Sequence, residues 1–223
     1  MTSFTLKIIA IICMISDHVG YSIFNKVTFF NYIGKISFPI FAFLISEGYL
    51  HTKNLKNYLI RLTIFAFLSQ IPFMLFFSTF NINGLNLNIF FTLLLGLISI
   101  TIYEKTDRSF IGIITFLLLA ILAQIANCDY GFFGVCLIFL FYTLKNNKLK
   151  MNISILLITV IRYSLLFFKS SNITYIYFGI FSCISLIFIN LYNNKKGKNI
   201  KYFFYIFYPL HLLILYLLRI YFN

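Results

Sequence analysis

The chain has 223 residues, 61% hydrophobic and 21% aromatic, with a formal net charge of +13 at pH 7. A soluble domain of this length cannot cover so much apolar surface, and no polar gap is long enough to fold alone, so a soluble protein is excluded. The basic residues sit in short loops between apolar runs rather than on one soluble face, which excludes nucleic acid as a partner and points to membrane topology and lipid headgroups.

Nine apolar segments follow one another: 4–24, 33–50, 58–77, 87–103, 110–127, 130–144, 151–168, 173–192 and 202–221. The expected architecture is all-α: a polytopic integral membrane helical bundle, one transmembrane domain over residues 1–223 with about nine helices. The sixth segment is short for a hydrocarbon core of about 30 Å and is expected to borrow flanking residues or to lie tilted. Lys53 and Lys56 follow the second segment, and Lys105 and Arg108 the fourth. Lys145, Lys148 and Lys150 follow the sixth, and Lys195, Lys196, Lys198 and Lys201 the eighth. The intervening loops hold only Lys26 and Lys169, and those around 81–86 and Asp129 hold no basic residue. The positive-inside rule therefore predicts a cytoplasmic N-terminus and a multi-pass protein of the cell membrane. The first run has no small-residue cleavage site and reads as a retained helix. Cys13, Cys128, Cys136 and Cys183 lack CxxC spacing and read as small apolar side chains; no metal or disulfide is expected.

Ionisable groups inside apolar segments are costly and mark functional sites. In the first segment these are Asp17 and His18, with Gly20 allowing close packing nearby. His18 and Lys7 are eleven residues apart, close to three helical turns, and share a face with Met14 over roughly 16 Å. That face is expected to line a path across the membrane. Asp17 points about 100° away from His18, so its expected partner is a cation on another helix, Lys35 or Arg162. His211 lies in the last segment, with Tyr208 one turn earlier and Pro209 between them. Glu47 and His51 share a face at the cytoplasmic end of the second segment, and Lys53, Lys56 and Arg61 follow, a set suited to holding phosphates. Gln70, Pro72, Asn88 and Asp129-Tyr130-Gly131 belong to the outer half. There is no P-loop, GxGxxG, HExxH or GxSxG.

Six stretches, LKIIAIICMISDHVG, YIGKISFPIFAFLISEGYLHT, YLIRLTIFAFLSQIPF, NIFFTLLLGL, DYGFFGV and YIFYPLHLLIL, in this order resemble the TraX family of integral membrane proteins, from about Lys7 to Leu215. That family is named for a conjugation protein that acetylates the N-terminus of pilin. The resemblance implies membrane acyl transfer, with acetyl-CoA as co-substrate drawn from the cytoplasm. By motif, Asp17 and His18 match the family's Asp-His pair, and Lys35 stands where relatives often carry Arg, ahead of Phe38 and Pro39. Asn88, Tyr130 with Gly131, and His211 also fall on family motifs.

The combined expectation assigns catalysis to His18, Asp17 and His211. Lys53, Lys56, Arg61 and Lys7 would bind the co-substrate. Lys35, Arg162, Tyr208, Asn88 and Tyr130 would contact the acceptor or the oxyanion. The acceptor is an amine or hydroxyl at the outer side: a peptide or protein N-terminus, a saccharide or another nucleophile. The rival expectation is a proton- or ion-coupled transporter with Asp17, His18 and His211 as its relay.

Overall fold

The computed structural model describes residues 1–24, 27–80, 86–198 and 201–222, with the backbone alone of Lys201. Lys26, the loop at 81–85 and the Lys201 side chain lie outside the described residues. The helices are α1 (Ser3–Phe24), α2 (Phe29–Gly34), α3 (Ser37–His51), α4 (Leu55–Ser78) and α5 (Ile89–Lys105). They continue with α6 (Phe110–Ile125), α7 (Gly131–Thr143), α8 (Lys148–Ser170), α9 (Thr174–Asn190) and α10 (Lys201–Phe222).

The second apolar segment differs from expectation: it is two helices, α2 and α3, broken at Lys35 and Ile36. Asn31 draws the chain into α2 by accepting from the Thr28 N–H at 2.8 Å. Lys35 caps α2, and α3 restarts with Pro39 in its first turn, where a missing N–H costs no helical bond. Asparagines open three of the other helices, α4, α5 and α8. Asn54, Asn88 and Asn147 accept from the N–H groups of Asn57, Phe90 and Lys150 at 2.9–3.0 Å, each cap contributing about 1 kcal/mol.

Helices α3 and α7 are the centre of the bundle. Both are apolar around most of their circumference, as a helix enclosed by others should be. α7 has 13 residues and does not extend into its flanks. It needs no match to a lipid thickness, because α3, α5, α6 and α8 pack around it. With α2 and α3 counted as one, the described residues form nine helical segments. Five of these (α1, α2–α3, α4, α8 and the Tyr202–Phe222 stretch of α10) are long and apolar enough to traverse a membrane.

Large apolar side chains cover the outside, among them Phe67, Ile71, Phe110, Ile125, Leu165 and Phe168, each 65–76% exposed. So continuous an apolar surface is suited to lipid, not water. Three backbone bonds tie the chain start to the segment before α10: Ser3 N–H to Lys195 O at 2.8 Å, Phe4 N–H to Lys196 O at 3.1 Å and Asn193 N–H to Met1 O at 2.9 Å. The ends of α3 and α9 and the starts of α1, α4 and α10 therefore meet at one lysine-rich end of the bundle.

Candidate active site

One wall of α1 is built by the periodicity of its own sequence. Ser3, Lys7, Ile11, Met14 and His18 recur every three or four residues and line a cavity of about 580 Å³. From Ser3 to His18 the wall runs roughly 22 Å at 1.5 Å per residue. The opposite walls come from α3 (Phe41, Leu44, Ile45), α4 (Tyr58, Leu62), α5 (Phe90, Leu93) and α10 (Phe204, Tyr205, Tyr208).

At the lysine-rich end the cavity is lined by Lys7, Lys53, Arg61 and Lys196. The acid there, Glu47, is engaged by His51 at 3.3 Å, the i,i+4 pair that the spacing predicts. Arg61 has a buried Nε with no hydrogen-bond partner among the described residues. Its guanidinium lies 5.6 Å from the Tyr58 ring.

At the other end lie Asp17, His18, Gly34, Ser37, Phe38, Asp129 and Tyr130. His18 Nδ1 is 2.7 Å from His211 Nε2. His211 Nδ1 is in turn 2.9 Å from the Phe207 carbonyl. A carbonyl can only accept, so with both rings neutral the protons are assigned in sequence. His211 Nδ1 donates to Phe207, His211 Nε2 accepts, and His18 Nδ1 donates to it. His18 Nε2 is left with a lone pair, the state a general base requires. The Phe76 ring, 5.5 Å away and edge-on, packs against the His18 imidazole.

Asp17 finds its cation across a close helix approach. Lys35 Nζ donates to Asp17 Oδ2 at 2.9 Å and to Oδ1 at 3.1 Å, and Asn31 Nδ2 donates to Oδ1 at 3.2 Å. A Cβ on Gly34 would stand 2.3 Å from Asp17 Cβ, and one on Gly20 2.8 Å from Asn31 Oδ1, so both contacts depend on glycine. Of the two expected partners Lys35 is therefore the one used. Lys35 itself does not line the cavity; its ammonium is engaged by Asp17.

Three further expected site residues lie outside the cavity lining. Arg162 packs 4.8 Å from the Phe133 ring and 5.7 Å from the Tyr130 ring, outside the cavity lining. The reason is that α8 packs on α7 and α9 rather than on α1. Asn88 is fully buried, does not line the cavity and has both amide protons engaged. Its Oδ1 accepts from Phe90 N–H, and its Nδ2 donates to the Ala66 carbonyl at 2.7 Å and to Gln70 Oε1 at 2.8 Å. Lys56 is exposed and does not line the cavity; it sits about 140° around α4 from Arg61. Tyr130 and Tyr208 do line it, and Tyr130 is stacked on Phe38 with ring centroids 3.7 Å apart.

Two cavity residues were not singled out as site residues from the sequence, Lys196 and Asp129. Lys196 is one of a run of loop lysines, and only its backbone bond to Phe4 brings it to the cavity mouth. Asp129 stood out as opening a helix, but nothing in its spacing relates it to His18.

An apolar-faced helical bundle enclosing a partly buried histidine pair at the end of a cation-lined cavity defines a helical membrane protein with an internal polar site. The chain belongs to the TraX protein family, whose pattern it matches over residues 3–219. It is 26% identical over 239 residues to the probable fimbrial assembly protein FimC, serogroup H1, of Dichelobacter nodosus, covering 96% of this chain and 94% of that protein. It is 29% identical over 213 residues to the uncharacterized protein RP591 of Rickettsia prowazekii (strain Madrid E), covering 88% of this chain and 82% of that one. No solved structure matches it.

Proposed function

We propose that this protein is a membrane-embedded acyltransferase of the cell membrane. It moves an acetyl group from acetyl-CoA, entering at a cytoplasmic lysine-rich end, to an amine or hydroxyl acceptor at the outer side. The acceptor belongs to pilin or fimbrial assembly, as the family and the FimC relative suggest. The observation that carries this reading is the single cavity joining a cationic mouth to an oriented histidine.

The residues fit the co-substrate. Lys7, Lys53, Arg61 and Lys196 offer charge for phosphates. A pantetheine arm spans roughly 15–20 Å extended, comparable with the length of the α1 wall. The mostly apolar walls suit that slender chain. Acetyl-CoA supplies the thioester; the protein supplies the proton transfers. His18 Nε2 takes the proton of the attacking nucleophile, and His211 stabilises the imidazolium through the shared hydrogen bond. The Lys35–Asp17 pair holds the α1–α2 geometry. Tyr130 and Tyr208 are the cavity phenols available to a developing oxyanion.

Replacing His211 by Phe keeps the ring but removes the acceptor of the His18 Nδ1 proton. Turnover is expected to fall on the order of 10²-fold, the scale of a lost base-orienting partner. His211→Gln, whose amide oxygen can accept, should retain more activity than His211→Phe; equal activities would contradict the tautomer argument.

The deciding experiment is acetyl-CoA binding to the detergent-purified protein, with S-acetyl-pantetheine as the phosphate-free control. Arg61→Ala is expected to weaken acetyl-CoA roughly 10- to 100-fold, the range for a charge-assisted bond, and to leave S-acetyl-pantetheine unchanged. A folded, monodisperse sample that binds neither compound would refute the proposal. The transport reading requires a relay through Asp17, His18 and His211. The described hydrogen bonds run from Asp17 to Lys35 and Asn31 instead, apart from the histidine pair. Solute flux without any CoA requirement would establish it.

A further inference from the structure

The inner end of the cavity holds two carboxylates in different situations. Asp17 is neutralised by Lys35 and Asn31. Asp129 lines the same space, yet among the described residues no Lys, Arg or His lies within ion-pair distance of it. The contact of its carboxylate is the backbone N–H of Tyr130, and the nearest charges acting on it are Lys35, Arg162 and Asp17.

Its backbone is pinned on both sides. Asp129 N–H donates to Leu87 O at 2.8 Å, and Thr92 Oγ1 donates to the Asp129 carbonyl. The next residue, Tyr130, is held at φ 63°, a left-handed conformation that is costly for an aromatic residue, and is locked by its stack on Phe38. Gly131 follows at φ 42°, completing the turn that aims the segment inward.

Resting on the acyl-transfer reading above, we propose that Asp129 is the acceptor-binding residue: it receives a protonated primary amine and takes its first proton. Burial pushes the Asp129 carboxyl up to about 6, which narrows the gap to an amine. The neutral amine nitrogen then attacks the thioester carbonyl carbon and forms the C–N bond. His18 Nε2 takes the second proton and returns it to the sulfur as the C–S bond breaks. The products are an amide and a free thiol, and the proton on Asp129 leaves with solvent exchange. A hydroxyl acceptor carries no charge for Asp129 to bind and no first proton to give, so the site discriminates against it.

The test uses the full chain in detergent with acetyl-CoA and two probes, glycyl-phenylalaninamide and its glycolyl counterpart, in which a hydroxyl replaces the α-amine. The wild-type protein is expected to acetylate the amine probe in preference to the hydroxyl probe. Asp129→Asn, which preserves volume and the contact to the Tyr130 N–H, should lower kcat/KM for the amine roughly 10- to 100-fold, the loss of one charge-assisted bond. Its dissociation constant for acetyl-CoA should stay unchanged, and Asp129→Glu should recover part of the loss. Asp129→Asn acting on the amine like wild type would overturn the proposal. So would a wild-type preference for the hydroxyl, or absence of amine transfer despite acetyl-CoA binding. Failure of the wild-type protein to bind acetyl-CoA would remove the acyl-transfer reading, and the role of Asp129 with it.

Discussion

His18→Ala is expected to lower acetyl transfer on the order of 10²- to 10⁴-fold, the contribution of a positioned general base, while acetyl-CoA binds as before. The separation follows from geometry. The cationic residues lie at the mouth, whereas His18 stands at the inner end, about 16 Å along α1 from Lys7 at 1.5 Å per residue. His18 is fixed by its bond to His211 at 2.7 Å and by the Phe76 ring. Removing its side chain thus takes away the lone pair without touching the cationic groups at the mouth. Single-turnover transfer and equilibrium binding, measured on the same purified variant, decide the matter. Parallel losses of both would place His18 in binding rather than in proton transfer.

The second large effect concerns stability. Lys35→Met is expected to destabilise the protein by about 3–5 kcal/mol, because it leaves the Asp17 charge buried without its cation. Side-chain exposures of 12% for Lys35 and 15% for Asp17 leave little room for water to compensate. The double variant Asp17→Asn/Lys35→Met removes both charges and keeps an amide facing Asn31, so it should recover most of the loss. Thermal unfolding in one detergent, for wild type, single and double variants, reads this directly. A double variant no more stable than Lys35→Met alone would show that the two residues do not act as a pair.

Much of this architecture is legible in the residues. The apolar runs give the nine helical segments, and the helical repeat of α1 places Lys7, Met14 and His18 on one wall. Glu47 and His51 meet as their four-residue spacing requires. Cys13, Cys128 and Cys136 are buried as small side chains. The break at Lys35–Ile36 was not visible, because the surrounding residues are as apolar as a continuous helix and Pro39 is compatible with either arrangement. The expected site residues that lie outside the cavity lining share one cause. Asn88, Arg162 and Lys56 are polar groups in plausible positions, but their neighbours are decided by other helices.

Local chemistry therefore settled what each segment is. Hydropathy makes it a buried or lipid-facing helix, and a period of 3.6 residues fixes which side chains share its face. The choice between partners on different helices is not a local quantity. His18 and His211 are 193 residues apart, and Asp17 selects Lys35 over Arg162 because Gly34 and Gly20 let α2 approach α1 more closely than any side chain would permit. Asp129 reaches the cavity because the Leu87–Asp129 bond and the strained Tyr130 turn place it there. Such contacts arise from close packing of whole helices. Only the tertiary structure decided which residues form the site.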